Sequence, residues 1–267
     1  MRFPLKEDDI SGSIPPRIRI RGILETVMKA FDITKHKTNL TNILIGIYKN
    51  SSLAPILGFK GGTAAMLFYK LPRFSVDLNF DLIPPLRENS EQLNNFIAEV
   101  TKLLSAKYKI IDQSTKYHTL FWLVSYGHGL TKIKVEISTR DILSNHYVPF
   151  SLYGVTIKVM DIKDMIAHKM IALTERKTLA NRDLFDTHFF LSSEYAGEIN
   201  YNIIRERLGK EPKEFYAHLL KFVSKIKPDS VLGGLGEVLT KSQKDWAKTK
   251  LVEESKGLIQ RQIDLLW

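Results

Sequence analysis

The sequence contains no cysteine, so the chain has neither a disulfide framework nor a thiolate metal site. It also has no apolar run close to the roughly 18 residues that a membrane-spanning helix requires. The first ten residues, MRFPLKEDDI, lack the apolar centre of a secretion signal. These absences favour a cytoplasmic protein without a membrane partner.

Basic residues outnumber acidic ones, 39 against 29, which gives the 267-residue chain a formal net charge of +10. Such a balance favours partners that carry phosphate, such as nucleotides or nucleic acid. Solvated surface lysines explain the same balance equally well. The charge therefore supports a phosphate-binding function only together with a specific site.

The apolar spacing predicts a mixed α/β first part followed by a helical second part. We divide the chain into an N-terminal helical extension (1–39), an α/β core (40–160) and a helical C-terminal domain (161–267). The pattern predicts strands over 56–59, 76–82, 109–112, 119–126, 132–138 and 155–159. It predicts helices over 16–33, 40–49, 63–69, 91–107, 161–177, 180–192, 199–208, 212–225 and 236–263.

Two of these predicted strands carry oxygen ligands on a polar face. Asp77, Asn79 and Asp81 share one face of strand 76–82, and Glu136 lies on the polar face of strand 132–138. If the two strands are neighbours, Asp77, Asn79 and Glu136 converge on a point that suits Mg²⁺. Either pattern alone is also typical of an exposed polar strand face.

A glycine pair precedes these strands, in the stretch GFKGGTAAMLFYKLPRFSVDLNFD (residues 58–81). Gly61 and Gly62 fall between a predicted strand and a predicted helix, where backbone N–H groups favour a bound phosphate. A glycine pair by itself is more simply a turn. A phosphate cradle beside a metal site, however, is typical of phosphoryl and nucleotidyl transfer.

The segments KGGTA, RFSVDLNF, KVEIS, DIKDMIAHKMIAL and RDLFD follow one another in a recognisable order. Over about residues 40–192 this order resembles the AbiEii/AbiGii family of nucleotidyltransferase-like toxins, within the polymerase-beta-like nucleotidyltransferase superfamily. The resemblance implies a nucleotidyltransferase core that uses Mg²⁺ or Mn²⁺ and a nucleoside triphosphate. It also implies a separate DNA-binding antitoxin as partner, and some relatives modify the acceptor end of tRNA.

Transferred residue by residue, the family pattern assigns the glycine motif, the metal ligands and the catalytic base. These assignments fall on Gly61, Gly62 and Thr63 for phosphate, and on Asp77, Asn79 and Glu136 for metal. Glu136 is also the candidate to activate or orient the attacking hydroxyl. The second metal ligand of the family is usually Asp, so Asn79 is a departure. An amide oxygen is neutral and binds Mg²⁺ more weakly, and Asp81 is a partial substitute on the same face.

Helix 161–177 and the helix after it supply further candidates. Lys169 stands where the family places a triphosphate-contacting lysine, and Arg176, seven residues later, shares its helix face. Asp183 and Asp186 match the RDLFD motif, as ligands of the nucleotide, as catalytic residues or as salt-bridge partners of Lys169, Arg176 or Arg182. The family's RxS falls on Arg73 and Ser75. We expect Arg73 to contact the triphosphate or a carboxylate, and Ser75 to stabilise the turn.

We therefore expect an enzyme that transfers a nucleoside monophosphate from an NTP to an acceptor hydroxyl, with RNA as one acceptor. The alternatives are nucleotidylation of a protein or a small molecule, and a catalytically impaired nucleotide- or RNA-binding module, because Asn79 replaces a carboxylate. The seven histidines lack zinc-site spacing. Only His188 is expected near the site.

Overall fold

A computed structural model of the protein describes residues 17–83, 90–127, 132–175 and 180–266, with side chains from residue 33 onward. Seven strands form one mixed sheet: β1 (Leu57–Lys60), β2 (Leu78–Leu82), β3 (Lys109–Lys116), β4 (Thr119–Ser125), β5 (Ile133–Ser138), β6 (Tyr147–Leu152) and β7 (Val155–Met160). Their order is β3-β4-β5-β2-β1-β7-β6. The β2–β5 and β1–β7 pairs are parallel and the other pairs are antiparallel.

Three helices accompany the sheet in sequence: α1 (Arg17–Lys49), α2 (Gly61–Phe68) and α3 (Glu91–Ser105). Among the described residues, six α-helices follow the last strand: α4 (Ile162–Glu175), α5 (Asn181–Leu191), α6 (Tyr201–Leu208), α7 (Pro212–Val223), α8 (Lys241–Thr249) and α9 (Leu251–Leu265). The predicted mixed sheet followed by a helical C-terminal part is confirmed. No helix within the described residues is both long enough and apolar enough to cross a membrane.

The structure corrects three predicted elements. Helices 16–33 and 40–49 are one helix, α1, because the polar stretch 34–39 interrupts the apolar pattern without any Pro or Gly to break the backbone. The segment predicted as one helix over 236–263 is divided into α8 and α9 near Lys250. Strand β6 was not predicted because it contains Pro149, which an edge strand tolerates and a central strand does not.

Strand register places a row of apolar residues on one face of the sheet and a largely polar row on the other. Phe59, Phe80, Ile137 and Leu120 are paired across four adjacent strands, and each is at most 1% exposed. The next row across the same strands consists of Lys60, Asn79, Glu136 and Phe121. Because successive side chains point to opposite faces, this second row lies on the face away from the apolar core.

A buried carboxylate joins the sheet part to the helices that follow it. Asp164, on the first turn of α4, is 1% exposed and accepts hydrogen bonds from the backbone N–H of His146 and from Nδ2 of Asn200, the latter at 2.7 Å. Asn200 also donates to the carbonyl oxygen of Ser144 at 3.0 Å. Glu206 of α6 accepts the N–H groups of Leu143 and Ser144. The segment 143–146 is thereby fixed against α4 and α6.

We predict that Asp164→Ala lowers the free energy of unfolding by about 2–3 kcal/mol, because it leaves buried donors without a charged acceptor. Urea denaturation followed by circular dichroism measures the change. Glu198→Gln is the matched control, since Glu198 forms a surface ion pair with Lys163 in which both side chains are about half exposed. Its expected cost is about 0–1 kcal/mol, and equal costs for the two variants would contradict the prediction.

Candidate active site

The glycine pair lies at the junction between β1 and α2. Gly61 has a φ angle of +81°, which residues with a Cβ rarely adopt. A Cβ at this position would also lie 3.2 Å from side-chain atoms of Asn79. Glycine at 61 therefore allows the turn to approach Asn79 closely, while the N–H groups of the first turn of α2 have no partner within the helix.

Gly62 is required for packing rather than for its backbone angle. A Cβ on Gly62 would lie 2.8 Å from Nη2 of Arg73 and 2.9 Å from Oγ of Ser75. The buried Thr63 hydroxyl lies 2.9 Å from Ser75 Oγ and donates to the carbonyl oxygen of Asp77 at 2.5 Å. The hydroxyls of Thr63 and Ser75 thus connect α2 to the segment that enters β2, and they do so in the protein interior.

Arg73, Lys169, Asp183 and Asp186 form a buried cluster of four charges. Arg73 donates two hydrogen bonds to Asp186, from Nε at 2.5 Å and from Nη2 at 2.7 Å. Lys169 Nζ lies 2.8 Å from Asp186 and 3.1 Å from Asp183. Of the possible partners of these aspartates, Arg182 donates instead to the carbonyl oxygen of Gly234. Arg176 lies outside the described residues.

Lys169 and Asp186 stabilise each other's ionised forms. Burial lowers the pKa of Lys169, but the carboxylates of Asp186 and Asp183 offset this effect and the pKa lies above its ordinary value. Burial raises the pKa of Asp186, but the positive charges of Lys169 and Arg73 outweigh this effect, and the pKa lies below its ordinary value. Lys169 is therefore protonated and Asp186 ionised at neutral pH.

The predicted metal ligands lie at the start of β2 and beside it. Asn79 and Glu136 are paired residues on adjacent parallel strands, and both are half-buried. Asp77 is the residue before β2 and is also half-buried. Asp81 is not a substitute ligand, because it is 3% exposed, pairs with Lys60 and accepts a hydrogen bond from Tyr147 at 2.6 Å.

The donors of Asp77, Asn79 and Glu136 are all oxygen atoms, which is the donor type that Mg²⁺ prefers. Within the described part of the chain, no three His, Asp or Glu side chains are grouped as a metal site. With Asn at position 79, the predicted set contains two carboxylates and one neutral amide. The chemistry of the donors fits a hard cation, with less negative charge than a set of three carboxylates provides.

A cavity of about 210 Å³ brings several predicted residues together. Gly61, Gly62, Asn79, Lys169 and Asp183 all line it. Asp186 is fully buried and does not line the cavity, so the structure gives it contact with Arg73 and Lys169 rather than with a ligand. Of the predicted phosphate, nucleotide and metal residues, those off the cavity wall are Thr63, Arg73, Ser75, Asp77 and Glu136.

Sequence reasoning missed the three charged or polar residues that complete the lining of this cavity: Lys60, His168 and Arg207. Lys60 directly precedes the glycine pair and His168 precedes Lys169, so proximity to a motif was an available signal for both. Arg207 comes from α6 and had no such signal. The expectation for His188 was wrong, because its ring packs against Trp246 and contacts Glu254, and it lines a different cavity.

Two solved structures share this fold. One is a protein from Helicobacter pylori described as a candidate nucleotidyltransferase, with 20% sequence identity and a TM-score of 0.56, covering 87% of this chain and 95% of its own. The other is JHP933 from Helicobacter pylori, with 20% identity and a TM-score of 0.55, covering 88% of this chain and 93% of its own. The fold is that of nucleotidyltransferase-like proteins.

The family model described as "Nucleotidyl transferase AbiEii toxin, Type IV TA system" matches residues 43–251. The chain belongs to this family, as its motifs predicted. No curated protein matches the sequence.

We predict that Gly62→Ala destabilises the fold by about 1–3 kcal/mol, because the added methyl group forces Arg73 and Ser75 out of a close-packed position. Thermal and urea unfolding measure the change. Gly257→Ala in α9 is the control, since a Cβ there meets no atom within 4 Å. That variant is expected to be more stable than wild type by about 0.5–1 kcal/mol, and a neutral Gly62→Ala would refute the packing role.

Proposed function

We propose that the protein transfers a nucleoside monophosphate from an NTP to an acceptor hydroxyl, with RNA as the acceptor and a divalent metal as cofactor. The observation that carries the proposal is the cavity in which the glycine turn, Asn79 and Lys169 meet. Family membership and a shared fold support the same reaction class. The family's description as a toxin of a Type IV system supports a cognate antitoxin as partner.

In this proposal, different residues of the site bind the phosphate groups, hold the metal and position the lysine. The N–H groups at the start of α2 bind phosphate oxygens, and Lys169 and Lys60, which both line the cavity, neutralise phosphate charge. Asp77, Asn79 and Glu136 would hold the metal, which would supply Lewis-acid stabilisation of the developing phosphate charge. Asp186, together with Arg73, acts as a positioning residue for Lys169 rather than as a catalytic group.

In the transfer itself, the acceptor oxygen forms a bond to the α-phosphorus as the bond to the bridging oxygen of the β-phosphate breaks. Pyrophosphate leaves, and Glu136 accepts the proton of the acceptor hydroxyl. Glu136 is suited to this role because it is half-buried beside Asn79 and is not part of the cavity wall that holds phosphate.

RNA is favoured as the acceptor by the net charge of +10. The larger cavity nearby, of about 620 Å³, has a wall of mixed sign that includes Arg140, Asp141, Glu175, Glu206 and Arg207. Glu175 is paired with Arg207, and Glu206 is bonded to backbone N–H groups. Two of its three carboxylates are thus already engaged, which argues against a binding site built for a cationic small molecule.

We predict that the wild-type protein, incubated with α-labelled NTPs, Mg²⁺ and total RNA or protein, transfers label to RNA. Asp77→Ala should reduce the transfer by about 100-fold or more, because it removes one of the two metal-binding carboxylates. Asp112→Ala, which alters an exposed carboxylate on β3, should retain full activity.

Label found only on protein would show that the acceptor is protein and not RNA, and the proposed reaction class would stand. A wild-type protein that binds nucleotide and transfers no label would support the binding-module alternative, for which the amide of Asn79 is the structural argument.

Asn79→Asp tests the departure from the family pattern directly. We predict that it increases metal affinity by about tenfold in the absence of nucleotide, because it restores an anionic ligand. Metal titration calorimetry, with and without a non-hydrolysable NTP, measures this effect. The difference from wild type should shrink when the triphosphate is present, since its oxygens then supply the missing charge.

Asn95→Asp adds the same charge at an exposed position on α3 and should leave metal affinity unchanged. If Asn79→Asp changes neither metal affinity nor turnover, Asn79 is not a metal ligand.

A further inference from the structure

Arg207 lies where two cavities meet. It lines the 210 Å³ cavity that contains the glycine turn and Lys169, and it also lines the neighbouring 620 Å³ cavity that contains Arg140. It projects from α6, in the helical part, whereas the glycine turn belongs to the sheet part. A cation from the second part of the chain therefore faces the predicted phosphate cradle of the first.

The guanidinium of Arg207 is held from two directions. Nη2 donates to Glu175, and Nη1 lies 3.2 Å from Nδ1 of His168. An arginine side chain has five N–H donors, and these two contacts engage two of its nitrogen atoms. The side chain is 18% exposed. The group is thus oriented, charged and still able to donate toward the cavity.

The contact with Arg207 determines the state of His168. A guanidinium can only donate hydrogen bonds, so Nδ1 of His168 must be the acceptor and carries no proton. Nε2 then carries the proton and donates to Oδ1 of Asn145 at 2.6 Å. Burial, followed by the positive charges of Lys60 and Arg207, lowers the pKa of His168 well below its ordinary value, so the ring is neutral at neutral pH.

We propose that Arg207 binds a phosphate group of the donor nucleotide, and that neutral His168 is the positioning residue that aims it at the cavity. The inference rests on the proposed function. An arginine fork matches the oxygens of a phosphate group better than a lysine does. With Lys60 and Lys169, Arg207 completes a set of three cations around the glycine turn, against a triphosphate that carries several negative charges.

The test of Arg207 is calorimetric binding of each of the four NTPs with Mg²⁺, and of tripolyphosphate. Arg207→Gln should weaken both kinds of ligand by about 10- to 100-fold, the range for loss of a charge-assisted hydrogen bond. Arg207→Lys keeps the charge but loses the fork, and should fall between. Arg205→Gln is the control on the same helix, because Arg205 pairs with Glu211 at the surface, and its affinity should match wild type.

The test of His168 uses two amides of different length. Asn places a side-chain oxygen close to the position of Nδ1, whereas Gln places its amide nitrogen close to that of Nε2. His168→Asn keeps an acceptor for Arg207 and should retain NTP affinity, while His168→Gln should lose affinity in the same direction as Arg207→Gln. The double variant His168→Gln/Arg207→Gln should lose little more affinity than Arg207→Gln alone, since both residues act through one contact.

The outcomes separate the inference from the proposed function. If wild type binds neither NTP nor tripolyphosphate, both are overturned. If wild type binds NTP and Arg207→Gln, folded by circular dichroism, binds it equally well, only the role of Arg207 is overturned. An Arg207→Gln variant that loses affinity for a short RNA and not for NTP also overturns it. Equal affinity of His168→Asn and His168→Gln overturns the positioning role.

Discussion

The buried contact between Arg73 and Asp186 joins the two parts of this chain beside the candidate site. Arg73 lies just before β2 and Asp186 lies on α5, so their two hydrogen bonds join the segment that carries the proposed metal ligands to the helical part. Both side chains are at most 5% exposed, and removing one partner from such a buried pair leaves an uncompensated charge, at a cost of about 3–5 kcal/mol. Lys169 shares the same carboxylate and is thereby fixed on the wall of the cavity.

Close packing links this contact to Asp77, one of the proposed metal ligands. The guanidinium of Arg73 lies against Gly62, which leaves no room for a Cβ, and Gly62 is followed by Thr63, whose hydroxyl bonds to the carbonyl oxygen of Asp77. The position of the Asp77 backbone is therefore coupled through three contacts to a carboxylate on α5. A motif that resembles a phosphate cradle in sequence is also, in structure, a packing junction between the two parts.

The parts of the site that follow from local spacing could be predicted from the sequence, and those that depend on tertiary contacts could not. Alternation along β2 and β5 placed Asn79 and Glu136 on one face, and the register confirmed it. Nothing in the spacing showed that Asp81 is paired with Lys60, because that partner comes from the antiparallel strand β1. Likewise, His168 contacts Asn145 and Arg207, which are 23 and 39 residues away in the chain.

The charge pairing around the cavity explains how three partly buried cations can line it. Lys60 is paired with Asp81, Lys169 with Asp183 and Asp186, and Arg207 with Glu175. A desolvated cation without a partner would be costly or would lose its proton, whereas a paired one keeps its charge. Such pairing also weakens the attraction for an incoming phosphate, since each cation is already partly neutralised. In the proposed function, selectivity for a triphosphate then depends on the arrangement of several paired cations around the glycine turn, and less on the excess charge of any one of them.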